Sequence, residues 1–281
     1  MGSFVKFLVL SFGLAFLVDV VVFVGGGLTD SFVGLVWGFV RMYTPAAAAA
    51  FAGYRWYRIR RNVTGVLVAT YLMSPLLAFA ALLLYAVFLH ATGFFQPNLL
   101  LQLFESLPIP LDPVFILVIL VVNSYVAALT INAVFAFGEE VGWRGFLQEW
   151  FEARGIGFIK SSLLVGVVWG LWHSSAIVLL GYNYPENRLM GVFLFTAFTA
   201  SVSIPHAMVK KLSSSVLPAA SLHGAINAVW ATSLLITGLP RELAGLGPIA
   251  FSTWAVVSAV FYTATRWISK FGREGNPTQS S

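Results

Sequence analysis

The chain has 281 residues, of which 59% are apolar and only 10% charged, and its mean hydropathy is +0.87. Soluble domains run at roughly 45–50% apolar and about 25% charged. These figures therefore exclude a water-soluble globule, a disordered chain, a collagen-like rod and a nucleic-acid-binding architecture, and describe an integral membrane protein. Cysteine is absent, which removes disulfides, thiolate nucleophiles and Cys-ligated metal sites. It also means that this chain cannot itself be prenylated or palmitoylated.

A spanning helix needs about 20 mostly apolar residues. Eight stretches qualify on that rule: 7–24, 32–54, 63–89, 114–150, 159–180, 189–208, 216–237 and 248–267. The sequence predicts an all-α polytopic membrane protein with about eight transmembrane helices, forming a single helical domain over 1–281. The first stretch is not a cleavable signal peptide, because it is long for an apolar signal core, contains Asp19 and precedes no A-x-A-like site. Residues 90–113 are rather apolar and carry Pro97, Pro108, Pro110 and Pro113; this loop is expected to dip into the outer interface. The polar tail 271–281 is expected to be poorly ordered.

The net charge of +5 reports topology rather than an acidic partner. With eight spans, the termini share a side with the loops after spans two, four and six, and that side collects thirteen of the sixteen basic residues. The positive-inside rule then places both termini in the cytoplasm. Arg55, Arg58, Arg60 and Arg61, interleaved with Trp56 and Tyr57, read as a topology anchor and lipid-headgroup contact rather than a nucleic-acid patch.

Ionisable groups inside spans are functional candidates by default. Depth can be counted from the basic anchors at 1.5 Å per helical residue. His173 follows Lys160 by 13 residues, roughly 20 Å, and His223 follows Lys211 by 12, roughly 18 Å. Asn227 lies one turn deeper, and Glu139 precedes Arg154 by 15 residues, roughly 22 Å. Three spans thus bring Glu, His, His and Asn to a common level. The apolar run of span four ends near Phe137, so this placement requires a long or bent helix, with bending expected beside Gly138, Gly142 and Gly145. Glu140 and Arg144, at i and i+4, are expected to form an ion pair, which leaves Glu139 as the freer carboxylate. His223 and Asn227 share the same spacing and project together.

A carboxylate plus an imidazole can deprotonate a water by general-base catalysis. An imidazole N–H and an Asn amide can donate to a tetrahedral oxyanion. Here the residues carry a resemblance: Glu139-Glu140-Val141-Gly142-Trp143-Arg144 fits EExxxR, His223-Gly224-Ala225-Ile226-Asn227 fits HxxxN, and Trp169-Gly170-Leu171-Trp172-His173 is similar to FxxxH with Trp for Phe. In this order, over 133–231, the set resembles the CPBP (Abi) family of membrane proteases, whose best-known members are type II CAAX prenyl endopeptidases. The resemblance implies Glu139 and His173 as the water-activating pair, His223 and Asn227 as the oxyanion pair, and Glu140 and Arg144 as supporting residues. It also implies removal of the last three residues after a prenylated cysteine, from the cytoplasmic side. The expected partners are a peptide or lipidated protein substrate and membrane lipids, with no nucleic acid and no cofactor.

Other readings stand beside this one. The polar set can be helix glue, or a zinc site built from Glu139, Glu140, His173 and His223, although no HExxH helix is present. Ser174, Ser175 and Ser221 read as packing groups, and an aspartyl protease would need a second intramembrane Asp beside Asp19. Asp19 and Arg41 read as a buried pair, with a sharper alternative in which Arg41 holds a substrate carboxylate. His206 and His90 read as interfacial. The rival classes are a proton-coupled transporter using a Glu/His relay, which predicts inverted repeats, and a catalytically silent scaffold. Substrate identity and oligomeric state stay open.

Overall fold

The computed structural model describes residues 2–55, 64–106 and 111–274, with side chains as far as Trp267. Among them the regular structure is helical, and the only strand-like feature is a bridge between Phe95 and Thr237. Residues 56–63, which include most of the expected basic anchor, lie outside the described residues, as do 107–110 with Pro108 and Pro110.

Helix α1 (Ser3–Val24) buries Phe7, Ser11, Ala15 and Asp19, whose spacing of four puts them on one face. Its other faces expose Val9, Leu17, Val21 and Val24, a surface suited to lipid. Helix α2 (Ser31–Met42) begins where the Asp30 carboxylate accepts from the N–H groups of Phe32 and Val33. It yields to α3 (Thr44–Phe51) because Pro45 sits in the first turn of the new helix and cannot donate to the preceding one.

α4 (Gly65–Met73) and α5 (Pro75–Ala91) together form one long apolar segment. The loop that follows carries a short helix, α6 (Asn98–Glu105). Its start is tied to the far end of a later helix, since Gln96 donates to the Ile236 carbonyl and Gly238 to that of Phe94. α7 (Pro113–Leu129), capped by Asp112, meets α8 (Ile131–Glu140) at a bend of 42°. The bend lies at Thr130 and not beside the three glycines. The Tyr71 hydroxyl donates to the carbonyl of Leu129 there. Gly138 and Gly142 serve a different end: a Cβ on either would collide with Tyr43 or Pro45 at the α2–α3 break. Beyond α8 the helix widens into a π-helical segment, Val141–Leu147, before closing as α9 (Gln148–Glu152).

α10 (Phe158–Trp172) and α11 (Ser174–Leu180) join at His173. α12 (Arg188–Ser213) packs closely on α10. Gly166 and Gly170, a GxxxG pair, have no side chains where the Ala200 and Thr196 backbones pass, and the Thr199 hydroxyl donates to the Gly166 carbonyl at 2.9 Å. Small residues at this spacing let helix backbones approach in a membrane. Pro205 inside α12 removes one N–H from the ladder, and the Ser258 hydroxyl takes over the Ser201 carbonyl at 2.7 Å. α13 (Leu217–Leu235) runs through the middle of the bundle, and α14 (Pro248–Glu274) covers α12 and α5.

Among the described residues, five segments are long and apolar enough to cross a membrane, and the bent α7–α9 segment makes a sixth. Two of the eight expected stretches do not reach that standard. The stretch 32–54 is cut into helices of 12 and 8 residues. In 216–237, Ser221, His223, Asn227 and Ser233 dilute an otherwise apolar helix. The expected tail also begins later than 271, because α14 continues to Glu274; residues 275–281 lie outside the described residues.

Candidate active site

Glu139 and Glu140 end α8, at the point where the backbone loosens into the π-helical turn. Both are buried, and they are held differently. Glu139 Oε2 accepts from two indoles, Trp169 Nε1 at 2.5 Å and Trp143 Nε1 at 3.3 Å. Its other oxygen, Oε1, has no hydrogen-bond partner among the described residues and is not enclosed by protein, so it faces the cavity that Glu139 lines. Glu140 Oε1 accepts from Arg144 Nη1 at 2.8 Å and lies 2.9 Å from His223 Nδ1. Arg144 continues to the Ser203 hydroxyl on α12 at 3.0 Å, and its guanidinium sits 4.4 Å over the Trp169 ring.

The histidines are fixed through Nδ1. His173 Nδ1 lies 3.0 Å from the Trp169 carbonyl and His223 Nδ1 faces the Glu140 carboxylate. A carbonyl or an ionised carboxylate can only accept, so each Nδ1 carries the proton. In the neutral ring, Nε2 is then left with a lone pair. Among the described residues neither Nε2 has a partner, neither is enclosed by protein, and both rings line the cavity.

That cavity is about 240 Å³. Glu139, His173, His223 and Asn227, predicted from motif spacing, all line it, and Arg41, Trp169 and Tyr182 complete its polar wall. Glu140 and Arg144 stand behind this wall, bonded to His223 and packed on Trp169. Asn227 is the exposed member, with its side chain free of hydrogen bonds to the described residues.

The expected pair of Asp19 and Arg41 is present. Arg41 Nε donates to both Asp19 oxygens, at 2.9 and 3.1 Å. Trp37 Nε1 and the Ser175 hydroxyl also donate to this carboxylate. Ser221 donates to the carbonyls of Tyr71 and Pro218, so Ser175 and Ser221 are packing groups. His90 is exposed at the end of α5.

His206 corrects the interfacial expectation. It is fully buried, 5.7 Å from the Trp169 ring and 5.9 Å from the His223 ring by centroids. Counting residues back from Lys210 put it near a helix end; the packing of α10, α13 and the π-helical segment around α12 encloses that end. A signal was available, since Thr199, Ser203 and His206 recur at intervals of four and three, which marks one polar helix face. Among the described residues, His206 Nε2 and Glu140 Oε2 are buried without partners. Together with His223 they form the grouping whose ligand atoms lie within 4.8 Å of one another. The zinc alternative drawn from the sequence named a different set: Glu139 and His173 lie outside this grouping, and Arg144 already occupies one Glu140 oxygen, Oε1.

The fold and this cavity define a polytopic helical membrane protein with a buried carboxylate–imidazole centre. Residues 110–229, which contain every motif named above, match the family model described as Rce1-like, type II CAAX prenyl endopeptidase Rce1-like. The match covers 120 of the 281 residues and is consistent with the CPBP resemblance of the motifs. No curated protein matches the chain at a significant level.

Proposed function

We propose that the chain is an intramembrane endopeptidase in which Glu139 and His173 activate a water against a peptide carbonyl. The observation that carries this reading is the pair of lone-pair acceptors, Glu139 Oε1 and His173 Nε2, opening into one cavity. A water donating to both has its oxygen lone pair directed away from them. Glu139 takes the proton as the oxygen attacks, and returns it to the leaving amine. Such general-base assistance is typically worth about 10²–10⁴-fold.

Asn227 supplies one amide donor for the tetrahedral oxyanion. His223 supplies a second when Nε2 is protonated, with Glu140 beside Nδ1 to balance that charge. Each such donor contributes roughly 10²–10³-fold. Glu140 and Arg144 are positioning residues that set the His223 ring and the Trp169 indole. No metal takes part in this scheme, and no observation favours a transporter.

The family match supports a substrate class: a prenylated or otherwise lipidated peptide losing its C-terminal tripeptide. The orientation completes the proposal, with eight crossings and both termini in the cytoplasm. The loop residues of the cavity wall, Tyr182, Asn183 and Leu246, then lie opposite Lys160 and Lys210. In this arrangement a cytoplasmic substrate reaches Glu139 laterally, between helices.

The test uses purified protein with farnesylated and unmodified CAAX peptides, and identifies products by mass spectrometry. Wild type is expected to release the tripeptide, and Glu139→Gln or His173→Ala to lose at least about a hundredfold with unchanged thermal unfolding. Robust turnover by either variant sinks the reading. Activity that survives chelation in metal-analysed protein separates this scheme from zinc; chelator loss restored by zinc moves the chemistry to Glu140, His206 and His223.

A further inference from the structure

Arg41 is more than the partner of Asp19. Its Nε serves Asp19, its Nη2 donates to the Trp172 carbonyl at 2.9 Å, and the guanidinium lies 3.8 Å from the Trp172 ring centre. The third nitrogen, Nη1, has no hydrogen-bond partner among the described residues. It is not enclosed by protein, so it opens into the cavity that Arg41 lines. The side chain is only 3% exposed, so this N–H is held rigidly at depth.

Neutralising Asp19 does not account for such a placement. Asp19 already accepts from Trp37 Nε1 at 2.8 Å and from the Ser175 hydroxyl at 2.6 Å. Four hydrogen bonds from three donors on one carboxylate fix the guanidinium plane as much as they satisfy the acid. Glu139, on the same cavity wall, is not bonded to Arg41; its bonded oxygen belongs to Trp169 and Trp143. A fixed guanidinium N–H and a water-activating carboxylate thus face one small space without touching each other.

We propose that Arg41 is a specificity-determining residue that binds the C-terminal carboxylate of the peptide substrate. The inference rests on the peptidase reading and deepens it, because it makes the free chain terminus the recognition element. Guanidinium nitrogens match carboxylate geometry, and an ionised terminus in this buried setting needs a charge-assisted donor.

The test measures binding and cleavage separately on the full chain in nanodiscs. The ligands are a capped apolar tripeptide with a free C-terminal carboxylate, its C-terminal amide, and inorganic phosphate. The free acid is expected to bind at least about thirtyfold more tightly than the amide, with phosphate too weak to compete. CAAX peptides should show the same preference in kcat/KM. Arg41→Lys keeps a cation for Asp19 but not the fixed third N–H, and should reduce the preference to about threefold or less while Asp19 stays paired. Equal binding of acid and amide by wild type overturns the proposal, as does a full preference in Arg41→Lys; if that variant fails to fold, the wild-type comparison decides alone. Phosphate that displaces the acid identifies a general anion site and overturns the peptide assignment. Acid preference without cleavage of any peptide refutes the peptidase reading and leaves the carboxylate site standing.

Discussion

Glu139 Oε2 is shared by two indole N–H groups, which makes Trp169→Phe an informative perturbation. Phenylalanine keeps an aromatic ring beneath Arg144 and removes the donor at 2.5 Å, leaving Trp143 at 3.3 Å as the only remaining one. A hydrogen bond to a charged acceptor contributes about 1.5–3 kcal/mol, and the smaller ring adds roughly 1 kcal/mol of cavity cost. The expected loss is therefore about 2–4 kcal/mol, most of it in unfolding and part in kcat through a less firmly held carboxylate. Trp143→Phe should cost less, because its bond is longer. The double variant should cost more than the two together, since it strips a buried carboxylate oxygen of its last donor. Thermal unfolding in detergent and kcat/KM on a CAAX peptide, measured as a double-mutant cycle, read these terms. Strict additivity, or a Trp169→Phe protein as stable and active as wild type, would show that the indoles do not hold Glu139.

Arg144→Ala leaves Glu140 as an uncompensated buried charge and should destabilise by about 3–5 kcal/mol, visible as loss of monodisperse protein on size exclusion after mild heating. Arg144→Lys should recover only part of this, because one ammonium cannot reach Glu140 and Ser203 with the geometry of the guanidinium fork. Gly170→Ala drives a methyl group into the Thr196 backbone and should cost about 1–3 kcal/mol by overpacking, with cleavage falling as α10 carries Trp169 away from Glu139. The absence of native cysteine allows orientation to be read without background: Ser214→Cys should react with an impermeant maleimide from the cytoplasmic side and Asn183→Cys from the opposite side. Labelling of both from one side refutes the orientation.

Membrane residence, helical class and the polar set at the site were legible in the chain itself. Apolar runs of spanning length leave few alternatives, and Glu139, His173, His223 and Asn227 stand out because polar and ionisable groups in such runs are rare. Local spacing also sufficed for the Glu140–Arg144 pair, which lies within one helical turn. Span count was less secure, since a hydropathy window cannot register the break that Pro45 imposes or the burial of α13 against protein rather than lipid.

What only the tertiary structure decided are the relations between helices. Trp169 meets Glu139 across thirty residues of sequence, and Trp172 meets Arg41 across more than a hundred. No helical periodicity encodes either contact. His206 moved from an expected interface to the centre of the protein because burial depends on what surrounds a helix end, not on its distance from a basic anchor. The single-residue approach of Gly166 and Gly170 to α12 sets where Trp169 and His173 point. Sequence named the polar groups; packing chose which of their atoms remain unbonded and face the same space.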